Sequence, residues 1–391
     1  MTKYLQRYNI VLFMDKVLNK KVFVAMSGGV DSSVAAALLK NEGYDVTGVH
    51  MFCWEGCENN EDKQDALCVA AVLDIPFLVW DFKKEYREAV FNYMIREYAA
   101  GRTPNPDVMC NKEIKFGVFL KRALEAGADF IATGHYVRRD KTARLPRVLT
   151  LSAGAPTPTR HSRGFISLFS ARDTSKDQSY FLWTLTQDQL KHSIFPIGDY
   201  LKSEVRELAK KFNLPTAEKK DSQGLCFVGN IDFEEFIKNY LPKKIGQVVD
   251  SFGKTLGSHD GAHFYTIGQR RGLNLGGQPR PIYVAQKNAE TNILVMANGQ
   301  ADPILYRSEL IFSNANWTAG EPSRFPAKVS ARVRYRQPLQ RATIFESGRV
   351  IFDTPQRAVA IGQSVVFYLP AEVSAKEDDG DKMLGGGVIR T

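Results

Sequence analysis

The chain has 391 residues, with 52 Lys and Arg against 43 Asp and Glu, for a formal net charge of +9. Its 44% hydrophobic and 24% charged residues are ordinary globular composition, which excludes collagen-like, coiled-coil and wholly disordered chains. At roughly 100–200 residues per domain, the length predicts two or three domains.

Residues 1–20 read as an N-terminal extension. Their apolar run is broken by Asp15 and Lys16 and no small-residue cleavage site follows, so neither a signal peptide nor a transit peptide is expected. From Lys21 the pattern alternates. KVFVAM (21–26), DVTGVHM (45–51), FLVWD (77–81) and DFIATG (129–134) read as strands. DSSVAAALLKNEG (31–43), EDKQDALCVAAVLDI (61–75), 83–100 and 113–126 read as helices. This predicts βαβ units, an α/β doubly wound parallel sheet over 21–216 with ligands at the strand C-terminal ends.

Residues 141–170, rich in Pro, Ser, Thr and Gly, read as an inserted surface loop. Between 138 and 164 seven basic residues face one acid, Asp140, which suits either a solvated loop or an RNA contact. From Asp177 to Phe212 the pattern is helical again. Residues 217–300 form a small, mostly-β central domain. Over 301–371, runs such as KVSARVRY and SVVFYL recur and predict a C-terminal β-barrel. The tail, 372–391, is polar and reads as frayed. No run approaches the ~18 apolar residues of a membrane span.

The most informative segment is SGGVDSS, Ser27 to Ser33, between a strand and a helix. Gly28 and Gly29 let the backbone approach phosphate oxygens, while Ser27, Ser32, Ser33 and the helix N-terminus supply donors. Asp31 is a candidate Mg²⁺ ligand, since a bare carboxylate repels phosphate. No Lys follows the glycines, so this is not the GxxxxGK[ST] loop. It matches the PP-loop of ATP pyrophosphatases. That resemblance implies an adenine nucleotide hydrolase-like fold and cleavage of ATP to AMP and pyrophosphate.

Five cysteines (Cys53, Cys57, Cys68, Cys110, Cys226), an odd number, argue against a disulfide scaffold and for a reducing cytosol. Cys110 lies in GRTPNPDVMCNKEIKF, where the prolines exclude helix and Asn111 with Glu113 is expected to begin one. A thiol just ahead of a helix N-terminus and near Lys112 and Lys115 is expected to be acidic. Cys226 lies in DSQGLCFVG, a Gly-flanked loop. Each alone also fits an inert buried Cys. Cys53, Cys57 and Cys68 read as structural.

With SGGVDSS, TPNPDVMCNKEIKF, ATGHY (132–136), KDQSYFLW (176–183), DSQGLCFVG, FYTIGQRRGL (264–273) and VRYRQ (333–337) in one order, the chain resembles the tRNA-specific 2-thiouridylase family over about 21–370. The resemblance implies a cytoplasmic tRNA-uridine 2-sulfurtransferase acting on U34 of tRNAs for Lys, Glu and Gln. It implies ATP at Ala25, Met26, Ser27, Gly28, Gly29, Val30, Asp31 and Ser32, with Met51 near the adenine and Gly134 lining the pocket. ATP adenylates the C2 oxygen. Sulfur arrives as a persulfide on Cys226, from a cysteine desulfurase directly or through relay proteins. Cys110 either carries sulfur to C2 or frees hydrosulfide from the Cys226 persulfide, and both routes end in a Cys110–Cys226 disulfide. Some relatives are proposed to hold an iron–sulfur cluster on the positions of Asp107, Cys110 and Cys226.

By the same resemblance Asn105, Pro106 and Asp107 contact the target base, and His135, Lys176, Asp177, Gln178, Arg334, Tyr335 and Gln363 contact tRNA. From the residues alone, Asp107 fits a general acid/base or a turn cap. VRYRQ fits either an RNA-stacking segment or an edge strand. Two other readings remain open. One is a PP-loop ligase or amidotransferase that needs neither Cys110 nor Cys226. The other is an RNA-binding protein that merely senses nucleotide.

Overall fold

The computed structural model describes residues 19–54, 60–140, 165–221, 233–273, 275, 280–369 and 380–391. The expectations for the extension up to residue 18, for 141–164 and for Cys57 and Cys226 lie outside the described residues.

A five-stranded parallel sheet forms the first domain. Its strands are β1 (Lys21–Ala25), β2 (Asp45–Phe52), β3 (Phe77–Asp81), β4 (Phe130–Ala132) and β7 (Ser193–Ile194), in the order β3-β2-β1-β4-β7. Four of the five β1 residues are buried, as both faces of a central parallel strand must be. Val22 and Val24 enter one core with Val34 and Leu38 of helix α1 (Val30–Asn41) and with Val205 and Ala209. Phe23 and Ala25 enter the other, with Trp80, Ile114 and Phe119. The chain runs from β1 outward to β2 and β3, then returns to place β4 on the opposite side of β1. The C-terminal ends of β1 and β4 therefore form the switch point where open α/β sheets bind ligands. Helix α1 stops in a Schellman motif, in which Gly43 at φ 89° and Tyr44 donate to Lys40 and Leu39 carbonyls at 3.0 and 3.1 Å.

The central domain is a four-stranded sheet of β8 (Gly246–Asp250), β9 (Thr255–His259), β10 (Ile282–Asn288) and β11 (Ile293–Asn298), ordered β10-β11-β8-β9. The third domain is a closed six-stranded barrel. It consists of β12 (Tyr306–Asn316), β13 (Ala327–Arg332), β14 (Gln340–Ile344), β15 (Arg349–Arg357), β16 (Ser364–Tyr368) and β17 (Met383–Ile389). The Phe23 core continues without a break through Tyr265 and Val284 of the central domain and Val366 and Tyr368 of the barrel.

Three expectations change. Within 141–170, β6 (Leu168–Phe169) pairs antiparallel with β5 (Arg138–Arg139), so the end of the insertion is a two-stranded ribbon. Between 177 and 212 only Gln187–Lys191 and Lys202–Lys211 are α-helical, because Pro196 and Gly198 break the helical run after edge strand β7. The frayed-tail reading of 372–391 is corrected by β17, which pairs with β12 and β16 and closes the barrel. Three successive glycines hide this strand in the sequence. Gly386 is required because Trp183 lies against it, and a Cβ there would come within 2.8 Å of the indole.

The barrel docks on the first domain through KDQSYFLW. Arg332 donates to Asp177 Oδ2 at 2.6 Å, with side chains 7% and 3% exposed. Ala171 and Ser179 backbone N–H groups donate to Asp177 Oδ1 at 3.1 and 3.2 Å. Trp183 Nε1 donates to Ser364 Oγ, and the Tyr180 hydroxyl to the Ser364 carbonyl, each at 2.9 Å. Breaking one partner of such a pair strands a buried charge. Arg332→Met is expected to lower unfolding free energy by about 3–5 kcal/mol, read as a drop in the urea midpoint. An unchanged midpoint would show the pair to be dispensable.

Candidate active site

The loop between β1 and α1 is built by its own hydroxyls. The Ser27 N–H donates to Ser32 Oγ at 3.2 Å, and Ser32 Oγ and Ser33 Oγ donate to the Gly29 carbonyl at 3.1 and 2.8 Å. No side chain caps the helix at Gly29, so its first-turn N–H groups lack a side-chain acceptor and form an anion cradle. Ala25, Met26 and Val30 are buried beneath the loop, as is Met51 on β2. Gly134, at the end of β4, closes the other side. A Cβ at Gly134 would lie 2.6 Å from the Ser32 nitrogen, so only glycine lets the strands exit this close.

Asp31 is held from two directions. The Tyr136 hydroxyl and Lys202 Nζ donate to its Oδ1 at 2.9 and 2.6 Å. Burial and the nearby Asp31 carboxylate push the Tyr136 phenol pKa up, which keeps it a donor. Lys202 also pairs with Asp221 at 2.9 Å, and Lys176 and Arg206 reach the same carboxylate at 2.7 and 2.8 Å. Burial alone would raise the Asp221 pKa. The hydrogen bonds from Lys176 and Lys202 override it and bring it down to about 2. The sequence reading missed Tyr136, Lys202 and Asp221. Tyr136 stands inside ATGHY and Asp221 opens DSQGLCFVG, but nothing local marks Lys202.

The second half of the site is the helical segment 106–125. It begins at Pro106, not at Asn111 and Glu113. Asn105 is the N-cap, its Oδ1 accepting from the Val108 N–H at 3.2 Å, and Pro106 occupies N1, where a missing N–H costs nothing. The Asn-Pro pair was the readable signal. Cys110 therefore sits one turn inside the helix and is 0% exposed, instead of standing ahead of the N-terminus. From Cys110 to Val118 the helix is π-wound, a form frequent at functional sites. Asp107 Oδ1 and Asn111 Oδ1 flank the cysteine in sequence, and each is a buried acceptor with no hydrogen-bond partner among the described residues. Such atoms are costly unless something donates to them.

The approach to this helix is clamped by all three domains. Arg102 pairs with Glu97 at 2.6 Å, the Thr103 N–H donates to the Ile361 carbonyl at 2.8 Å, and Lys287 of β10 reaches Thr103 Oγ1 at 3.3 Å. Gln363 Nε2 donates to the Thr103 and Pro104 carbonyls at 3.3 and 2.8 Å. His135 is buried beside Phe116 of the helix, with Nδ1 2.7 Å from Thr133 Oγ1. Burial and the nearby Lys115 hold its pKa well below the ordinary value, so the ring is neutral.

Of the expected tRNA contacts, several are engaged inside the protein. Asp177 binds Arg332, Gln178 Oε1 accepts from the Tyr136 N–H at 2.9 Å, and Lys176 binds Asp221. Arg334 donates to the Ile267 and Ala358 carbonyls at 2.5 and 2.8 Å. Tyr335 packs on Phe181, ring centroids 4.6 Å apart. Cys226 lies outside the described residues, while Cys53 and Cys110 are buried and Cys68 is partly so. Among the described residues no three His, Cys, Asp or Glu side chains form a metal-binding group.

Three family models match in succession: a tRNA methyl transferase HUP domain over residues 20–230, a tRNA methyl transferase PRC-barrel domain over 234–298, and an aminomethyltransferase beta-barrel domain over 307–389. Curated relatives match almost end to end. A tRNA-specific 2-thiouridylase of Alkaliphilus oremlandii is 44% identical over 381 residues, 94% of this chain and 96% of its own. The tRNA-specific 2-thiouridylase of Bacillus velezensis is 45% identical over 380 residues, 94% of each chain.

Two outcomes test the geometry. Gly134→Ala drives a methyl group into the Ser32 backbone and should weaken ATP binding at least about tenfold by calorimetry while the circular dichroism spectrum stays native. The Asp221 pKa is depressed in the fold, so its stabilisation is present above about pH 4 and is lost as pH falls toward 2. The melting-temperature gap between wild type and Asp221→Asn should close across that window, and a gap independent of pH would refute the network.

Proposed function

We propose, because this chain belongs to the tRNA-specific 2-thiouridylase family, that it replaces the C2 oxygen of uridine 34 in tRNA with sulfur, using ATP. The observation that carries this is 44% identity over 94% of the chain, spanning both the phosphate loop and the Cys110 helix.

In this reading the loop of Ser27 to Ser33 holds the phosphates of ATP on backbone N–H groups, and Met51 and Gly134 border the nucleoside. The uracil O2 attacks the α-phosphorus and pyrophosphate leaves, turning a poor leaving group into AMP. Asp107 fits the base because its Oδ1 is a buried acceptor with no partner among the described residues, and uracil N3–H is a donor. Asn105 and Pro106 fix where that carboxylate stands. A sulfur nucleophile then adds at C2 and expels AMP. Cys226 carries the persulfide, and the Cys110 sulfur attacks its inner sulfur, forming the Cys110–Cys226 disulfide and releasing hydrosulfide, which is the nucleophile that adds at C2. A desulfurase-derived persulfide loads Cys226, and an external thiol reduces the Cys110–Cys226 disulfide that remains.

Mg²⁺, when bound, neutralises charge on the phosphates. Asp31 is its ligand in this reading, with Oδ2 available because Oδ1 carries Lys202 and Tyr136. Cys226, one of the three positions that the resemblance offers to an iron–sulfur cluster, lies outside the described residues. No helix among them is long and apolar enough to cross a membrane, and we place the enzyme with its tRNA in the cytoplasm.

The test is nucleoside mass spectrometry of tRNA after incubation with ATP and a persulfide donor. 2-Thiouridine at position 34 is expected. Cys226→Ser should abolish it, and Cys110→Ser should slow it by more than about 10³-fold. RNA-dependent release of AMP and pyrophosphate at the wild-type rate in both variants, with no 2-thiouridine formed by the wild type, would favour nitrogen- or ligase-type chemistry at the same loop.

A further inference from the structure

The motif FYTIGQRRGL is not used by the chemistry above, yet its turn is tightly built. The Gly268 N–H donates to the Val284 carbonyl at 2.7 Å, and the Val284 N–H donates to the Gln269 carbonyl at 3.0 Å. The Gln269 side chain accepts from the Thr266 N–H and donates to the Arg271 carbonyl, each at 2.9 Å. The Tyr265 hydroxyl reaches the Gly272 carbonyl at 3.4 Å. The turn's own residues thus fix its backbone, and Arg270 and Arg271 stand exposed at its tip with no ion pair among the described residues.

A second turn, 333–337, abuts the first. Arg334 supplies the connection, donating to Ile267 on the first turn and to Ala358 of the barrel. Its guanidinium points inward. Arg336 points out, is exposed, and takes φ 62°, a backbone conformation that side-chain-bearing residues rarely adopt and that collects at ligand-binding positions. Its guanidinium lies over the Tyr335 ring at 5.1 Å. Tyr335 rests on Phe181, and the Phe181 carbonyl accepts from Asn111 Nδ2 at 3.4 Å, one residue from Cys110. Neither turn contains an acidic residue.

We propose that Arg270, Arg271 and Arg336 form a phosphate-gripping surface for the RNA strand that flanks the base presented to Cys110, with Arg334 acting as the buttress that locks the two turns together. Three outward guanidiniums on rigid backbone, without competing carboxylates in either turn, suit an irregular phosphate chain. Arginine's planar fork binds phosphate oxygens in pairs, and the Tyr335–Arg336 stack offers a face to a neighbouring base. The inference rests on the thiouridylase reading for its partner, and it assigns which cations meet that partner.

Salt dependence separates phosphate contacts from structural roles. Binding of a fluorescent anticodon stem–loop RNA is measured by anisotropy across about 50–200 mM salt. Each of Arg270→Ala, Arg271→Ala and Arg336→Ala should lower the log–log salt slope by roughly 0.7–1, and the triple variant by about 2–3. Its affinity at the lowest salt should fall on the order of 10–100-fold. Arg349→Ala, which removes the exposed partner of Glu309, should leave the slope unchanged. Arg334→Met should lower the melting temperature with the slope retained. Should the triple variant misfold, the triple Arg→Lys variant, with charge retained, should keep the slope, and the single alanine variants decide. A wild-type slope in the triple variant, or a slope loss confined to Arg334→Met, overturns the proposal. Because binding is read without catalysis, a wild type that grips RNA but yields no thiouridine would sink the functional reading and leave this surface standing. Failure of the wild type to bind RNA would sink both.

Discussion

A buried ion pair between Asp177 and Arg332 organises this molecule. Such pairs bring a large desolvation penalty and persist only where the remaining hydrogen-bonding capacity is met. Here that holds on the acid's side, where both Asp177 oxygens are saturated by Arg332, Ser179 and two backbone N–H groups; the Arg332 guanidinium lies over the Tyr368 ring at 4.7 Å, and its Nε is buried without a hydrogen-bond partner among the described residues. The consequence reaches the nucleotide loop in three steps. Gln178, next in sequence, accepts from the Tyr136 N–H. The Tyr136 hydroxyl then holds Asp31, and Asp31 lies in the first turn of α1. Barrel seating and phosphate-loop geometry are thus parts of one hydrogen-bonded line.

A second convergence acts on the other half of the site. The short approach to the Cys110 helix takes one clamp from its own domain, one from the central sheet and two from the barrel. Gly101 packs against Ala289, which tightens the same joint. No single domain holds that cysteine in place. One core cluster accordingly runs through all three units, while the barrel keeps a separate core around Phe312, Val350 and Phe367.

Much of this architecture was legible in the chain. The strands KVFVA and FLVWD announce themselves by unbroken apolar character between turn residues, and SGGVDSS by its strand–loop–helix setting. What stayed hidden has identifiable causes. The last barrel strand is a run of glycines whose need becomes visible only against Trp183. Lys202 looks like any first-turn lysine until the fold brings it to Asp31, 171 residues away. Asp177 and Arg334 sit in motifs with the appearance of surface chemistry, and only packing shows their charges facing inward. Where each of these side chains points is thus set by packing at long sequence separation, which no local motif carries.

The winding of the helix from Cys110 to Val118 has a consequence for how this gene can vary. A π-wound stretch is what an α-helix becomes when one extra residue is accommodated while both ends stay fixed. Deleting any single codon there would let the segment relax to regular winding. A further inserted residue, by contrast, would turn the part ahead of it by about 100° and shift it by about 1.5 Å relative to Phe119 and the buried face beyond it. Asn105 and the clamps would oppose that rotation. Added length in this stretch is therefore resisted more strongly than a change of side chain, and substitutions should be found there where insertions are not.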